Sequence, residues 1–90
     1  MPSSATSAAV NVSVRLFARY AEVVGQDRLE ISLPAGATVA DLLAALRLQV
    51  PEFAALPMRL LCAVNLAHVL PAHPLRDGDE VAILPPLAGG

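Results

Sequence analysis

Thr38-Val-Ala-Asp-Leu-Leu-Ala-Ala-Leu-Arg-Leu-Gln-Val50, closed by Pro51, carries a single apolar stripe at helical spacing. Val39, Leu42, Leu43, Leu46 and Val50 recur every three or four residues, so they share one helix face. Thr38 is a good N-cap, and Asp41 at the third helical position approximates a capping box while placing an acid where the helix dipole favours it. Pro51 ends the run because it lacks an N–H and disfavours helix at the residue before it. Leu42, Leu43 and Leu46 are therefore expected in the core, packed over strands around Val12, Val14, Leu60 and Ile83. One stripe covers one face of a sheet, so the opposite face must meet solvent or a partner.

On both sides of this helix the period changes to two. Val10, Val12, Val14 and Leu16 alternate with Asn11, Ser13 and Arg15, as in a half-buried strand. Ala18 to Val24 is short enough for two helical turns, and Gly25 is a natural residue past its end. Arg28 to Leu33 alternates again, with Leu29, Ile31 and Leu33 inward, until Pro34 and Gly36 stop it. After the main helix, Pro51 to Pro57 reads as a loop or a short helical turn. Leu60 to Val64 is a nearly continuous apolar strand, Asn65 marks a turn, and His68 to Leu70 is a short returning strand. Arg76-Asp-Gly-Asp79 is a tight turn, and Glu80 to Leu84 is the last strand. The order β, short α, β, long α, β, β, β predicts an α+β domain: a mixed sheet of about five strands with one main helix on one face.

Ninety residues hold one small core. It must be aliphatic, because Ala (17), Leu (15) and Val (10) dominate while aromatics are 3%. With 56% hydrophobic and 16% charged residues the chain is no disordered tail. The net charge of −2, with six Arg and no Lys, offers no basic stripe for nucleic acid. A single Cys makes no internal disulfide, and no Cys/His spacing suits a metal. A cytoplasmic setting fits this cysteine usage. Residues 1–9 are small and polar and read as a mobile N-terminal tail rather than a secretory signal. The apolar stretch from Leu60 to Leu75 is too short and too interrupted to span a bilayer, so no membrane partner is expected.

Most polar candidates have plain structural readings. Cys62 lies inside an apolar strand and reads as a small buried hydrophobe. His68 and His73 flank a Pro-containing loop and read as solvated loop residues. Asp77-Gly78-Asp79-Glu80 could mimic a calcium loop but lacks its length and ligand count. The exception is the end of the chain, Pro85-Pro-Leu-Ala-Gly-Gly90. Two prolines keep its start extended, and six residues reach on the order of 20 Å beyond the sheet. Gly89 and Gly90 have no side chains, so they can enter a narrow channel and present a bare carboxylate to another protein. The dipeptide alone fits equally well a frayed end with no such task.

The chain resembles the β-grasp (ubiquitin-like) sulfur carriers that include the small subunits of molybdopterin synthase, over about Val12 to Gly90. The similarity is carried by Val14-Arg-Leu-Phe-Ala18 with Glu22-Val-Val-Gly25, Gly36-Ala-Thr-Val-Ala-Asp-Leu-Leu43, Ala63-Val-Asn65, Pro74-Leu-Arg-Asp-Gly-Asp-Glu-Val-Ala82 and Pro85-Pro-Leu-Ala-Gly-Gly90. Pro85-Pro86 and the Phe17-Ala18 segment favour this subfamily over the thiamine-pathway carrier. The chain departs from the family at Ala21, often Arg there, and at Leu84, often Phe, which makes the apolar contact smaller.

This resemblance implies a domain over residues 10–84 and a functional tail over 85–90. The chain is not an enzyme alone but the sulfur-donor subunit of one, and it binds no cofactor itself. An E1-like adenylyltransferase adenylates Gly90 with Mg-ATP. A sulfur donor protein replaces AMP and leaves a covalent sulfur on Gly90 as a thiocarboxylate. Gly89 and Ala88 line the channel-threading tail, and Leu84, Pro85, Pro86 and Leu87 contact partners. The synthase large subunit, two copies of each chain forming a heterotetramer, then uses the sulfur to build the dithiolene of molybdopterin from cyclic pyranopterin monophosphate. A carrier for thiamine or cysteine synthesis and a ubiquitin-like protein modifier are the alternatives.

Overall fold

A computed structural model describes residues 9–57 and 60–85. Its elements are β1 (Val10–Leu16), α1 (Ala18–Val24), β2 (Arg28–Leu33), α2 (Val39–Gln49), a 3-10 turn (Pro51–Ala55), β3 (Leu61–Val64), β4 (Ala67–Val69) and β5 (Glu80–Leu84). The five strands form one sheet in the order β2-β1-β5-β3-β4. The central pair, β1 and β5, is parallel, with Leu16 opposite Ile83. The other three pairs are antiparallel. This is the expected α+β sheet with one main helix. The anticipated tails, 1–9 and 85–90, lie outside the described residues except for Ala9 and Pro85.

The alternation sorts the sheet as period two requires. Val12, Val14, Leu16, Ile31, Leu33, Val81 and Ile83 are buried on the helix side. Leu42 and Leu46 of α2 are fully buried against them. Leu43 is only half-buried, although it packs against the same cluster. It faces the open end of the β3–β4 hairpin, where no further strand covers it.

The capping box forms as read. The Asp41 N–H donates to Thr38 Oγ1 at 3.3 Å, and the Thr38 N–H donates to Asp41 Oδ2 at 2.9 Å. The remaining N-terminal donors of α2 are satisfied by the proline-rich loop after β4. Val39 N–H reaches the His73 carbonyl at 3.0 Å and Ala40 N–H reaches that of Pro71 at 2.9 Å. A helix start with its orphan donors occupied in this way anchors the loop as firmly as the loop anchors it.

Two local features were not legible beforehand. Phe53, in the segment that reads as a loop or a short helical turn and forms the latter, is fully buried and is the largest such side chain among the described residues. Its turn is held by Arg47, whose guanidinium donates to the carbonyls of Phe53 (3.0 Å) and Pro57 (2.7 Å). The returning strand begins one residue early, at Ala67, because Asn65 and Leu66 both take positive φ (49° and 75°) and close a two-residue hairpin. Leu66 occupies a backbone region that favours Gly or Asn, and its side chain is left in solvent.

Candidate functional site: the root of the C-terminal tail

The position where the chain leaves the sheet is set by a polar knot at the opposite end of β5. Asp79 Oδ1 accepts from Asn65 Nδ2 at 2.9 Å and Asp79 Oδ2 accepts from the Arg76 N–H at 2.9 Å. Asn65 Oδ1 in turn accepts from the Glu80 N–H at 3.0 Å. Asp77 Oδ1 accepts from the Asn11 N–H at 2.8 Å, and the Ser13 N–H donates to the Asp79 carbonyl at 3.0 Å. Of the acids that the sequence offered as a calcium loop, Asp77 and Asp79 thus receive backbone and amide N–H groups, and Glu80 receives the guanidiniums of Arg15 and Arg28. Together these bonds fix the register of β5 against both β1 and β3. A strand's register decides which residue leaves the sheet and on which face.

With that register, Leu84 lies across from Leu61 of β3. Phe17 follows Leu16, whose partner is Ile83, and stays extended (φ −129°, ψ 154°), so it comes abreast of Leu84. The three side chains form a row on the face away from α2. Leu61 is 49% exposed and Phe17 39% exposed, and Leu84 and Pro85 are half-buried. The Arg15 guanidinium sits 5.6 Å from the centre of the Phe17 ring, a cation–π contact that steadies the ring in solvent. The next row on the same face is Ala82 and Ala63, too small to interrupt the apolar surface.

Beside this row, between α2 and the open end of the β3–β4 hairpin, is a cleft of about 590 Å³. Leu43, Leu60, Leu61, Cys62, Val69 and Leu70 line it together with His68 and Pro71, so among the described residues no carboxylate or guanidinium faces it. Leu70 on its lip is 78% exposed. Burial pushes the Cys62 thiol up from 9.0 to about 11, so it stays protonated and a poor nucleophile at neutral pH. Cys62 is therefore a packing residue, as expected.

Of the sequence-derived site, Leu84 and Pro85 are placed at the end of β5. Pro86, Leu87, Ala88, Gly89 and Gly90 lie outside the described residues. Sequence reasoning missed Leu61 and Leu70. The parity of Leu61 against buried Cys62 carried the signal for the first, but a continuous apolar run hides which residue faces out. Among the described residues no group of three or more His, Cys, Asp or Glu could hold a metal ion, and no helix is long and apolar enough to cross a membrane.

A mixed five-stranded sheet grasping one main helix, with an apolar row where the last strand leaves it, defines a ubiquitin-like β-grasp protein. The chain belongs to the ThiS family, whose profile matches residues 14–90. It is 37% identical over 83 residues to a molybdopterin synthase sulfur carrier subunit of Chlamydomonas reinhardtii, covering 90% of this chain and all of that one. The protein of the same name from Escherichia coli K12 is 40% identical over 81 residues, covering 88% and 99% of the two chains. Among solved structures, SAMP1, the small archaeal modifier protein 1 of Haloferax volcanii, superposes with a TM-score of 0.78 at 28% identity, over 89% of this chain and 99% of that one.

Proposed function

We propose that this chain is the sulfur carrier subunit of a molybdopterin synthase. The observation that carries the reading is the end-to-end match to proteins of that name in a green alga and a bacterium. The geometry supports it: the polar knot fixes where the chain leaves the sheet, an apolar row marks that exit, and Pro85 starts a stretch that finishes in Gly89 and Gly90.

The chemistry follows from what a carboxylate lacks. Its oxygen is a poor leaving group, so Gly90 must first be activated. An E1-like enzyme uses Mg-ATP to form the acyl-adenylate and release pyrophosphate. Sulfur from a donor protein displaces AMP; where the donor is a persulfide, a thiol supplies the two electrons that free the thiocarboxylate. The thiocarboxylate sulfur is anionic at neutral pH and more nucleophilic than the oxygen it replaced. Gly89 and Gly90 carry it into the large subunit, with Ala88 behind them. There it is given to cyclic pyranopterin monophosphate, and two transfers build one dithiolene. Leu84, Pro85, Pro86 and Leu87 hold the partner surfaces. The domain spans 10–84 with tails at 1–9 and 85–90, two carriers serve two large subunits, and the setting is the cytoplasm.

Intact-mass measurement of the chain from its native host tests this. One oxygen-for-sulfur exchange localised to Gly90 is the expected result. The likeness to an archaeal modifier favours a second reading, in which the same Gly-Gly end is joined to lysines of other proteins. Gly-Gly remnants on such lysines, with no sulfur at Gly90, would replace the first reading by the second.

A further inference from the structure

We propose that the outer edge of β2 is a self-association surface, on which two copies of this chain pair their β2 strands antiparallel about a two-fold axis at Leu29. The inference does not depend on the carrier reading and concerns another side of the molecule. Three observations carry it.

The first is the edge itself. The sheet ends in β2 on one side and β4 on the other. β4 is only Ala67–Val69, and Pro71 follows it closely, so that edge is blunted. β2 is twice as long and holds no proline, and among the described residues no strand pairs its outer side. The Leu16 N–H donates to the Asp27 carbonyl at 3.0 Å, so along the antiparallel ladder Leu29, Ile31 and Leu33 turn their backbone groups to β1. Those of Arg28, Glu30 and Ser32 therefore point out from the edge.

The second observation is charge. Arg28 and Glu30 are both exposed, on the face away from α2. A two-fold axis at Leu29 sets Arg28 of each copy directly across from Glu30 of the other, and each such pair exchanges both of its backbone hydrogen bonds. An axis at Glu30 would oppose two carboxylates. An axis at Ile31 would set Arg28 against Pro34, which has no N–H to give. An unrelated strand meets the same two charges without the matching ones, so the edge selects its own copy in one register.

The third observation is apolar surface on the helix side. Leu29 is half-buried, and at the axis it meets Leu29 of the other copy at the closest cross-strand approach. Above it, α2 turns Ala44, Ala45 and the exposed Leu48 to this flank, where they form a groove of about 440 Å³ with Leu33, Pro34 and Asp41. The pairing puts both α2 helices on one side of a joined sheet, so the two grooves face each other across the seam. β1 separates β2 from β5, so the place where the last strand leaves the sheet stays open in both copies.

Sedimentation of the full chain over a concentration series tests this, with each variant first checked by its melting curve. The parent should form a dimer. Arg28→Glu and Glu30→Arg should each weaken it about tenfold or more, because each sets like charges across both pairs. A mixture of the two variants should associate as the parent does, since opposite charges then meet across the seam. A loss of folding would not be repaired by mixing. Leu84→Asp, on the apolar row, should leave the dimer unchanged. A parent that stays monomeric up to about 1 mM overturns the proposal. So does a dimer that both charge variants leave intact, one that Leu84→Asp dissociates, or a mixture that fails to recover. None of these outcomes bears on the sulfur chemistry at Gly90.

Discussion

The outer face of the sheet has two unlike halves. On the β2–β1 side it is polar: Ser13 Oγ donates to Glu30 at 2.9 Å, and Arg15 and Arg28 both reach Glu80. On the β5–β3 side it is apolar, running from Ala82 and Ala63 to Leu84 and Leu61. Both halves have the same helix behind them and the same backbone pairing, so folding does not require the difference. A monomer gains nothing by leaving Leu61, Phe17 and Leu70 in water. The apolar half lies where the chain leaves for its Gly-Gly end, and the polar half lies away from it. The contrast is what the proposed carrier role asks for: one half left to solvent and an apolar half open to a partner.

The sharpest way to break this contrast is at the chain end itself. A residue added after Gly90 moves the reactive group about 3.5 Å and turns its carboxylate into an amide. Synthase turnover should fall to background, with the melting temperature unchanged. Gly89→Val should fail likewise, because a β-branched side chain blocks a narrow channel and restricts φ. An N-terminal tag before Val10 should be harmless. Full turnover with the C-terminal tag still attached would remove the carrier function.

Next in size is the inner face. Leu46→Ala, at a fully buried position, should cost about 2–5 kcal/mol by urea denaturation, whereas Leu43→Ala at the cleft should fall at or below the lower end. Equal losses would mean that the cleft is closed in solution. Leu84→Asp should do the opposite of Leu46→Ala: it should keep the fold and lose the large subunit in a pull-down. Unchanged binding would leave the apolar half without a partner.

How much of this was legible follows from which signals are local. The α2 capping box and stripe, the strands with strict alternation and the Gly25 C-cap (φ 86°) depend on neighbours in sequence, and each was read within a residue. The family motif gave the Gly-Gly end. Phe53 escaped because no period marks a five-residue turn; only its distant neighbours show that it is core. Leu61 escaped because its exposure depends on the register of β3 against β5, which is fixed by Asn65 and Asp79 through side-chain bonds spanning 14 residues, and Leu70 because it follows the edge strand β4, where no period marks which side chain is left in solvent.

A smaller effect concerns pH. Cys62 titrates near 9.0 when unfolded and about 11 in the fold, so above 9 the unfolded chain holds fewer protons than the native one. Stability is then fully present below pH 9 and declines as pH rises toward 11. Cys62→Ala should flatten that decline in a pH series of urea melts. A series that superposes on the parent would mean that water reaches the thiol.

The smallest effect tests the polar half. Arg15 and Arg28 are direct cross-strand neighbours, a like-charge pair that opposes sheet formation. Glu80 on the next strand answers both, at 3.5 Å and 3.3 Å, but all three side chains are a third or more exposed. Exposed pairs of this kind are worth about 0.2–1 kcal/mol each and are screened by salt. Glu80→Gln should therefore cost about 1 kcal/mol at low ionic strength, because it removes two weak attractions and uncovers one repulsion. The loss should shrink in high salt, and adding Arg28→Ser to the variant should recover part of it. Binding of the large subunit should change little, since Glu80 lies four residues from Leu84 and outside the apolar row. A Glu80→Gln chain that keeps its stability but loses the subunit would extend the interface across both halves and erase the division between them.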